Sequence, residues 1–395
     1  MQGGEANGSD APGHLWAARV LLEAYDWSSD VFGGRPNVPQ PKAAEFLMAV
    51  GLRTGHPGAL KAALRSLAVL PKSELADPVD GGFFERCEGP RWKGPYTRKT
   101  LAGNAALLQA LASAGAWTGD AAMKGAARST AEFIDRGLKS EEGDLWEGAL
   151  SPDDEYYERL AHRRAQRGAP PSEGPATFMD ACAATSAFVR AGVALDEPRW
   201  VARARIAGRT LSEWPEPRSP EEEAAWGNTI MDLFVATDEG AWGGWAEDSN
   251  YDDEGLVKRK LQGVPPGPAR WEATLAAARW GVSLPPPPLP PAGSLDAVAM
   301  AGLCELVARE PQVWVGCHHG LGSDRPEPSL WQAAVAAAWA VGPPTWAATP
   351  PPGGNSRGLV FGFGLGPGAK ESAPVADRSA IRRTLVELAN LKEGI

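Results

Sequence analysis

The sequence predicts a mainly α-helical protein, a closed toroid of helical hairpins followed by a small C-terminal α/β part. Pairs of helical segments recur at spacings of roughly 40–60 residues. Loops that each combine an acidic residue, glycines and an aromatic residue separate them, at 30–34, 79–84, 143–148 and 239–245. Repeated helical pairs bury one another's apolar faces. Because the spacing is irregular, we expect a closed α/α toroid with these loops at one mouth, and not an open solenoid.

The individual helices are predicted from apolar residues at helical spacing. Polar, glycine-rich residues 1–12 are expected to be a disordered tail. Asp196 is the predicted N-cap of the helix that starts at residue 197. The predicted helices of the toroid span residues 14–25, 43–53, 57–70, 99–114, 120–138, 177–193, 197–214, 221–234 and 268–280.

The pattern changes after residue 282. We assign residues 13–282 to the toroid and the proline-rich segment 283–293 to a polyproline II linker. Residues 294–395 then alternate helical and strand-like segments, which is typical of a small α/β unit that completes or flanks the toroid. Helices are predicted at 295–308, 329–341 and 379–391, and strands at 313–316, 345–349 and 358–364.

Composition excludes several classes of function. A net charge of −10 argues against a nucleic acid partner, because phosphate binding needs a basic surface. No apolar stretch approaches the roughly 20 residues of a membrane span, and the N-terminus lacks the pattern of a secretory signal. The four cysteines lie far apart, which fits reduced thiols better than a disulfide framework. We therefore expect a cytoplasmic protein that does not bind nucleic acid or membranes.

The most informative stretch is 77–108, a loop rich in acids and glycine that leads into a helix. Gly81 and Gly82 allow a sharp turn. The aromatic Phe83 and Trp92 lie among charged residues, as they would at the rim of a pocket. The alternative interpretation is a loop that connects two helices and is held in place by buried aromatic side chains. The sequence alone leaves both open.

The sequence lacks the motifs of a metal site, a catalytic nucleophile and a phosphate-binding loop. Cys317, His318 and His319 are adjacent, so in a strand they cannot all reach one metal ion, and no metal or cofactor is expected. There is no nucleophile elbow, and the glycines at 362–368 lack the Lys-Ser/Thr of a phosphate loop. Acid–base chemistry is better supported. Carboxylates recur in the glycine–aromatic loops, at Asp80, at Asp153 and beside the Trp242 and Trp245 pair.

Residues 77–108 also resemble the central block of the YyaL / spermatogenesis-associated protein family of thioredoxin-domain-containing proteins. The family's G-G-F-x-R, tryptophan and P-H-F-E-K-M-L-Y-D-N-A-x-L motifs occur here in the same order. Weaker matches cover 25–41, 143–157 and 312–316. The matching positions are Gly81, Gly82, Phe83, Arg86, Trp92, Pro95, Lys99, Leu101, Asn104, Ala105 and Leu108.

The resemblance implies an (α/α)6 toroid like those of six-hairpin glycosidases and N-acylglucosamine 2-epimerases, while the family's activity is poorly defined. Two departures affect function. The thioredoxin-like domain that should precede this segment is absent, so no thiol–disulfide activity is expected. The family's histidine is replaced by Tyr96 and its glutamate by Arg98. Tyrosine is a weak base at neutral pH.

These observations predict a toroid whose mouth binds a carbohydrate-like small molecule and acts on it by acid–base chemistry, as an epimerase, isomerase or glycosidase would. Two alternatives stay open. One is a non-catalytic binding or scaffold protein with a protein partner, whose pocket side chains would fill. The other is an isoprenoid-processing toroid with an apolar cavity. The candidate catalytic residues are Asp80, Tyr96 and Asp153, and the candidate substrate-binding residues are Phe83, Arg86, Trp92, Lys99, Asn104, Trp146, Trp242 and Trp245.

Overall fold

The structure is a computed structural model. It describes residues 13–141, 143–215, 218–237, 253–261, 263–265, 268–280, 284–285, 287, 289–291, 293–309, 313–318, 358–363 and 370–371.

Helices dominate the described residues. They are α1 (Gly13–Glu23), α2 (Pro41–Thr54), α3 (Pro57–Ala68), α4 (Leu101–Thr118), α5 (Ala121–Gly137), α6 (Asp154–Tyr157), α7 (Ala161–Arg167), α8 (Phe178–Ala194), α9 (Pro198–Ser212), α10 (Pro220–Thr237), α11 (Asp253–Leu261), α12 (Pro268–Arg279) and α13 (Leu295–Arg309), with a 3₁₀ turn at Leu70–Lys72. The longer ones agree with the sequence prediction, whereas α6, α7 and α11 were not predicted.

Local signals in the sequence fix several helix ends. Thr100, Asp120 and Thr177 each occupy an N-cap position, where the side-chain oxygen accepts a hydrogen bond from a backbone N–H of the first turn. Gly55 and Gly119 end α2 and α4 with φ of 70° and 80°, the left-handed conformation that suits glycine at a helix C-terminus.

The helices form two concentric layers. In the inner layer α2 packs against α4, α4 against α8, α8 against α10, α10 against α12 and α12 against α13, and α13 returns to pack against α2. The ring is therefore closed. Behind it, α1, α3, α5, α9 and α11 pack on the outside. This closed double layer of described helices confirms the predicted fold class, an (α/α)6-type toroid.

The N-terminal ends of the inner helices gather on one side of the ring. Lys42, the second residue of α2, forms an ion pair with Glu272 near the start of α12. The backbone N–H of Leu101, the first residue of α4, donates to the carbonyl of Gly148 in the segment that precedes α8. A side chain at Gly33, just before α2, would contact Leu295 at the start of α13. We call this side of the ring the mouth.

Short antiparallel strand pairs join the loops that enter the inner helices at the mouth. They are β1 (Tyr25–Asp26) with β2 (Val31–Phe32), β3 (Arg86–Cys87) with β4 (Pro95–Tyr96), and β5 (Lys99–Thr100) with β6 (Ala149–Leu150). An isolated bridge between Asn37 and Cys87 links the first loop to the second. Three of the predicted glycine–aromatic loops thus belong to one continuous rim, and the fourth lies outside the described residues.

The C-terminal part contains strands, as expected. β7 (Val313–His318), β8 (Gly358–Phe363) and β9 (Lys370–Glu371) form an antiparallel sheet in the order β7-β8-β9, with Val313 opposite Phe363. The predicted strand at 345–349 and the predicted helices at 329–341 and 379–391 lie outside the described residues.

One capping prediction is wrong. Asp196 has a φ of 59°, so it lies in the left-handed region, and Glu197 occupies the N-cap position of α9. The backbone N–H of Glu197 donates to the carbonyl of Gly192 at 2.8 Å, which closes the turn between α8 and α9 one residue later than predicted. Pro198 then begins the helix, where its missing N–H costs no hydrogen bond.

Candidate functional site

The inner ring encloses a cavity of about 490 Å³, within the range of small-molecule sites. Side chains from every inner helix line it, so the closed ring itself builds the site. Although the ring helices are rich in alanine, half of the residues that line this cavity are polar or charged. Its polar and charged lining residues are Lys42, Glu45, Gln109, Asp180, Ser186, Arg190, Asn228, Thr229, Asp232, Glu272 and Arg279.

The charged side chains range from solvated to buried. The ion pair of Lys42 and Glu272 is partly solvated, with the Lys42 side chain 38% exposed. Glu45 is 17% exposed, whereas Asp232 and Arg279 are each 1% exposed. Charges with so little contact with water are costly unless they are paired and hydrogen-bonded. Each of these charges therefore needs partners inside the ring.

Asp232 binds two arginines that line the cavity, Arg190 and Arg279. Its two carboxylate oxygens accept from Arg190 Nε at 3.1 Å and from Arg279 at 2.5 Å. Burial opposes the charge, but the two guanidinium groups outweigh it and lower the pKa of Asp232. Asp232 is therefore ionised at neutral pH, and it holds α8 and α12 to α10.

Glu45 is in a different environment. Gln109 Nε2 lies 2.8 and 3.0 Å from its two carboxylate oxygens, and the nearest guanidinium nitrogen of Arg190 is 3.7 Å away. Burial within the ring raises the pKa of Glu45, and the weak Arg190 contact and the Gln109 hydrogen bond offset only part of that effect. A raised pKa favours the protonated form of the carboxyl group, and a group that changes its protonation state can both accept and donate a proton.

Arg190 joins these two carboxyl groups across the cavity. The pKa of one is raised and that of the other is lowered, a pattern that separates a proton-transferring group from a group that stays charged. With Gln109 and Arg279 at its ends, this polar chain connects α4, α2, α8, α10 and α12. It is the most concentrated buried polar chemistry that lines the ring cavity.

Sequence analysis missed this site. Its residues lie on separate helices, and each looks like an isolated polar position. A signal was present in α10, where Asn228 and Asp232 are four residues apart, and in α8, where Ser186 and Arg190 are spaced in the same way. Residues at this spacing share one helix face. Polar pairs on the face of an otherwise apolar helix predict a polar interior.

The predicted substrate-binding residue Lys99 is fully buried under the loop that precedes α4. Its ammonium donates to Asp77 Oδ2 at 2.6 Å and to the carbonyl oxygen of Gly81 at 2.7 Å. The rings of Phe84, Phe133 and Tyr157 surround it, with centroids between 4.4 and 5.1 Å away. Burial lowers the pKa of Lys99 to about 8, so it stays protonated at neutral pH. In this structure Lys99 holds the loop.

Arg164 and Asn104 also hold the loop that precedes α4. Arg164 in α7 donates to both oxygens of Asp77 at 2.9 Å and to Asp80 at 2.8 Å. Asn104 accepts from the backbone N–H of Phe83 at 2.7 Å and donates to the Phe83 carbonyl at 3.0 Å. The interactions shown for Lys99, Asn104 and Phe83 hold the loop in place, and their predicted contact with a ligand stays a prediction.

The three predicted catalytic residues have different surroundings. Asp80 lines a separate cavity of about 420 Å³ beside α5. Tyr96 lies under the guanidinium of Arg86, 4.1 Å from the ring centroid. Asp153 is the N-cap of α6 and pairs with Arg167 at 3.0 Å. None of them is among the residues that line the ring cavity.

The aromatic residues that were predicted to bind a sugar are mostly core residues where the structure describes them. Phe83 and Trp92 are 2% exposed. Trp146 stacks on Phe188 at a centroid distance of 5.4 Å and is buried as well. Arg86 pairs with Glu85 and Glu88. Trp242 and Trp245 lie outside the described residues.

A larger groove of about 980 Å³ lies outside the ring, between α5 and residues 71–97. Its buried charges, Asp77 and Arg164, bond to each other and to the loop. This pairing gives them a structural role. The central cavity therefore remains the better candidate.

Among the described residues no cluster of histidine, cysteine and carboxylate side chains could hold a metal ion. The side chains of Cys317 and His318 and the whole of His319 are outside the described part. In that same part, none of the helices has the length and hydropathy needed to cross a bilayer.

No protein-family model matches the sequence, and no curated protein is similar to it. Among solved structures, D-mannose isomerase matches with a TM-score of 0.47 and 13% identity, over 67% of this chain and 78% of that one. Cellobiose 2-epimerase from Bacillus thermoamylovorans matches with 0.45 and 10%, over 68% and 70%. A family 76 glycoside hydrolase from a bovine Bacteroides thetaiotaomicron strain matches with 0.44 and 9%, over 67% and 54%. At these identities the similarity concerns the fold alone.

Proposed function

We propose that the ring cavity binds a polyhydroxylated small molecule such as a sugar, and that Glu45 exchanges a proton with it. The observation that carries this proposal is the pair of carboxyl groups, Glu45 and Asp232, whose pKa values are shifted in opposite directions on either side of Arg190. Such a pair provides one group for proton transfer and one fixed charge.

The lining favours a ligand with many hydroxyl groups. Gln109 and Asn228 offer amide donors and acceptors, Ser186 and Thr229 offer hydroxyls, and Glu45 offers a carboxyl group. A sugar hydroxyl both donates and accepts, so it can bond to each of these side chains. An isoprenoid offers no hydrogen bond to these side chains, and it would also remove the partly solvated charges of Lys42 and Glu272 from water. The cavity chemistry therefore disfavours the isoprenoid alternative.

The scaffold alternative predicted a pocket filled by side chains. The ring instead keeps about 490 Å³ open, with a carboxyl group of raised pKa at its wall. A buried carboxyl group with a perturbed pKa in a cleft is typical of a functional site. Both observations favour a site that handles a ligand.

The geometry favours proton transfer next to a carbonyl over hydrolysis. Glycoside hydrolysis usually needs two carboxyl groups, one that protonates the leaving oxygen and one that activates a water or attacks the sugar. Of the other carboxyl groups that line the cavity, Asp232 is engaged by two guanidinium groups and Glu272 by a lysine, which leaves Asp180 for the second role. Abstraction of a proton beside a carbonyl needs one base and a positive charge for the oxygen that becomes negative. Glu45 and Arg190 meet that need, as an isomerase or epimerase requires.

A thermal-shift screen with neutral mono- and disaccharides tests the binding step. At about 100 times its dissociation constant, a ligand stabilises the fold by roughly 2.7 kcal/mol. We expect at least one sugar to raise the melting temperature of the wild type and of Glu213→Gln, a matched change at an exposed carboxylate beyond the end of α9. Asn228→Leu, which removes an amide from the lining, should lose the shift. Equal shifts in all three proteins would contradict binding in this cavity.

A further inference from the structure

We infer that the ligand of the ring cavity is an uncharged sugar, and that sugar phosphates and sugar acids are excluded. This inference rests on the proposed function and narrows it to one ligand class. It follows from the way in which the charges of the lining residues compensate one another.

The buried cations of the cavity are already neutralised. Arg279 bonds to Asp232 at 2.5 Å, and it also donates to the backbone and side-chain oxygens of Asn228 at 3.1 and 3.3 Å. Arg190 bonds to Asp232 at 3.1 Å and lies 3.7 Å from Glu45. A phosphate or carboxylate that entered would have to displace a carboxylate of the protein from these guanidinium groups.

The cation nearest the mouth is also engaged. Lys42 Nζ pairs with Glu272 at 3.3 Å. Among the residues that the structure describes, the cavity lining carries three cations, Lys42, Arg190 and Arg279, against four carboxyl groups, Glu45, Asp180, Asp232 and Glu272. The lining is therefore neutral when Glu45 is protonated and negative when it is ionised. An anionic ligand would meet no net positive charge in either state.

Glu45 adds a second reason. Its pKa is already raised by burial. A ligand anion beside it would favour the protonated form further, since like charges at close range disfavour ionisation. The group proposed as the base would then be held in its acid form. A neutral sugar leaves Glu45 able to change its protonation state.

Isothermal titration of the full chain with matched ligands tests this inference. Each set contains a neutral hexose, its 6-phosphate and the corresponding uronic acid, for glucose, mannose and galactose, all at one ionic strength. We expect the neutral member of the best set to bind at least about tenfold more tightly than either anionic member, a difference of about 1.4 kcal/mol. A phosphate or uronic acid that binds more tightly than its neutral counterpart overturns the inference and leaves the proposed function in place. No binding by any member, together with no thermal shift for any mono- or disaccharide of the screen, overturns both.

The variant Glu272→Gln provides a second test, which does not depend on the order of ligand affinities in the wild type. It removes the carboxylate that pairs with Lys42. This ion pair is partly solvated, so a folding defect is not expected. With one carboxylate fewer, the phosphorylated member should gain severalfold in affinity relative to the neutral one. The exposed control Glu213→Gln should keep the wild-type ratio. An unchanged ratio in Glu272→Gln would show that charge compensation does not set the preference.

Discussion

Replacement of Lys99 by methionine tests whether this residue holds the loop or binds the ligand. The substitution removes an ammonium that is 0% exposed and that donates to Asp77 at 2.6 Å and to the Gly81 carbonyl at 2.7 Å. Loss of one partner of a buried ion pair typically costs 3–5 kcal/mol. Because Arg164 still bonds to both oxygens of Asp77, we expect the lower end, about 3 kcal/mol.

Urea denaturation followed by circular dichroism gives the free energy of unfolding directly. In a thermal scan the same loss corresponds to about 4 °C, since an unfolding entropy of about 2.1 cal/mol/K per residue gives roughly 0.8 kcal/mol/K for 395 residues. Sugar affinity of the folded variant should equal that of the wild type, because Lys99 does not line the ring cavity. A stability loss below about 1 kcal/mol, or a tenfold loss of affinity in folded protein, would refute this interpretation.

Three further predictions concern the ring and its rim. Glu45→Gln should unfold at higher urea than the wild type at pH 7 and gain about 1 kcal/mol. The folded-state pKa of Glu45 is raised, so the folded protein binds the proton more tightly than the unfolded chain, and wild-type stability falls as pH rises above the ordinary glutamate pKa. A stability difference between the two proteins that does not grow from pH 4 to pH 8 would contradict the raised pKa. Asp232→Asn should lower the unfolding free energy by about 3–5 kcal/mol, because it leaves two guanidinium groups facing each other; a loss under 1 kcal/mol in urea would count against the buried triad. Gly81→Ala should cost about 1–3 kcal/mol by the same measurement, since φ is +79° and a Cβ would lie 2.7 Å from the carbonyl oxygen of Ser129; wild-type stability would argue against this tight packing.

Much of the helical architecture could be predicted from the sequence because its signals are local. The apolar spacing placed the starts of α4, α5 and α8 to within a few residues, and the structure shows that Thr100, Asp120 and Thr177 cap these helices. The recurring loops indicated hairpins arranged in a toroid. By contrast, α7 has the polar sequence AHRRAQR, and its Arg164 is buried because Asp77, 87 residues earlier, pairs with it. No local pattern could reveal that contact.

The same reasoning explains why the sequence predicted a site in residues 77–108 and not in the ring cavity. Charged and aromatic residues concentrate in 77–108, and that density suggested a pocket. The structure shows that many of these residues bond to one another and so fix the rim. Glu45 occurs in PKAAEFLMAV, where a single glutamate reads as a solvated charge. Burial inside the ring raises its pKa, and that burial follows from the packing of α2 against α4 and α13, which are distant in sequence.

The most direct test of proton transfer by Glu45 is incorporation of solvent deuterium into a neutral hexose, followed by proton NMR in D₂O. We expect the wild type and Glu213→Gln to exchange the hydrogen on the carbon next to the carbonyl. Glu45→Gln should be slower by a factor of about 10²–10⁴, the usual contribution of a general base. Exchange at the wild-type rate in folded Glu45→Gln would contradict the assignment of Glu45. If the wild type binds a sugar in the cavity but incorporates no deuterium into it, the protein binds sugars without catalysing proton transfer.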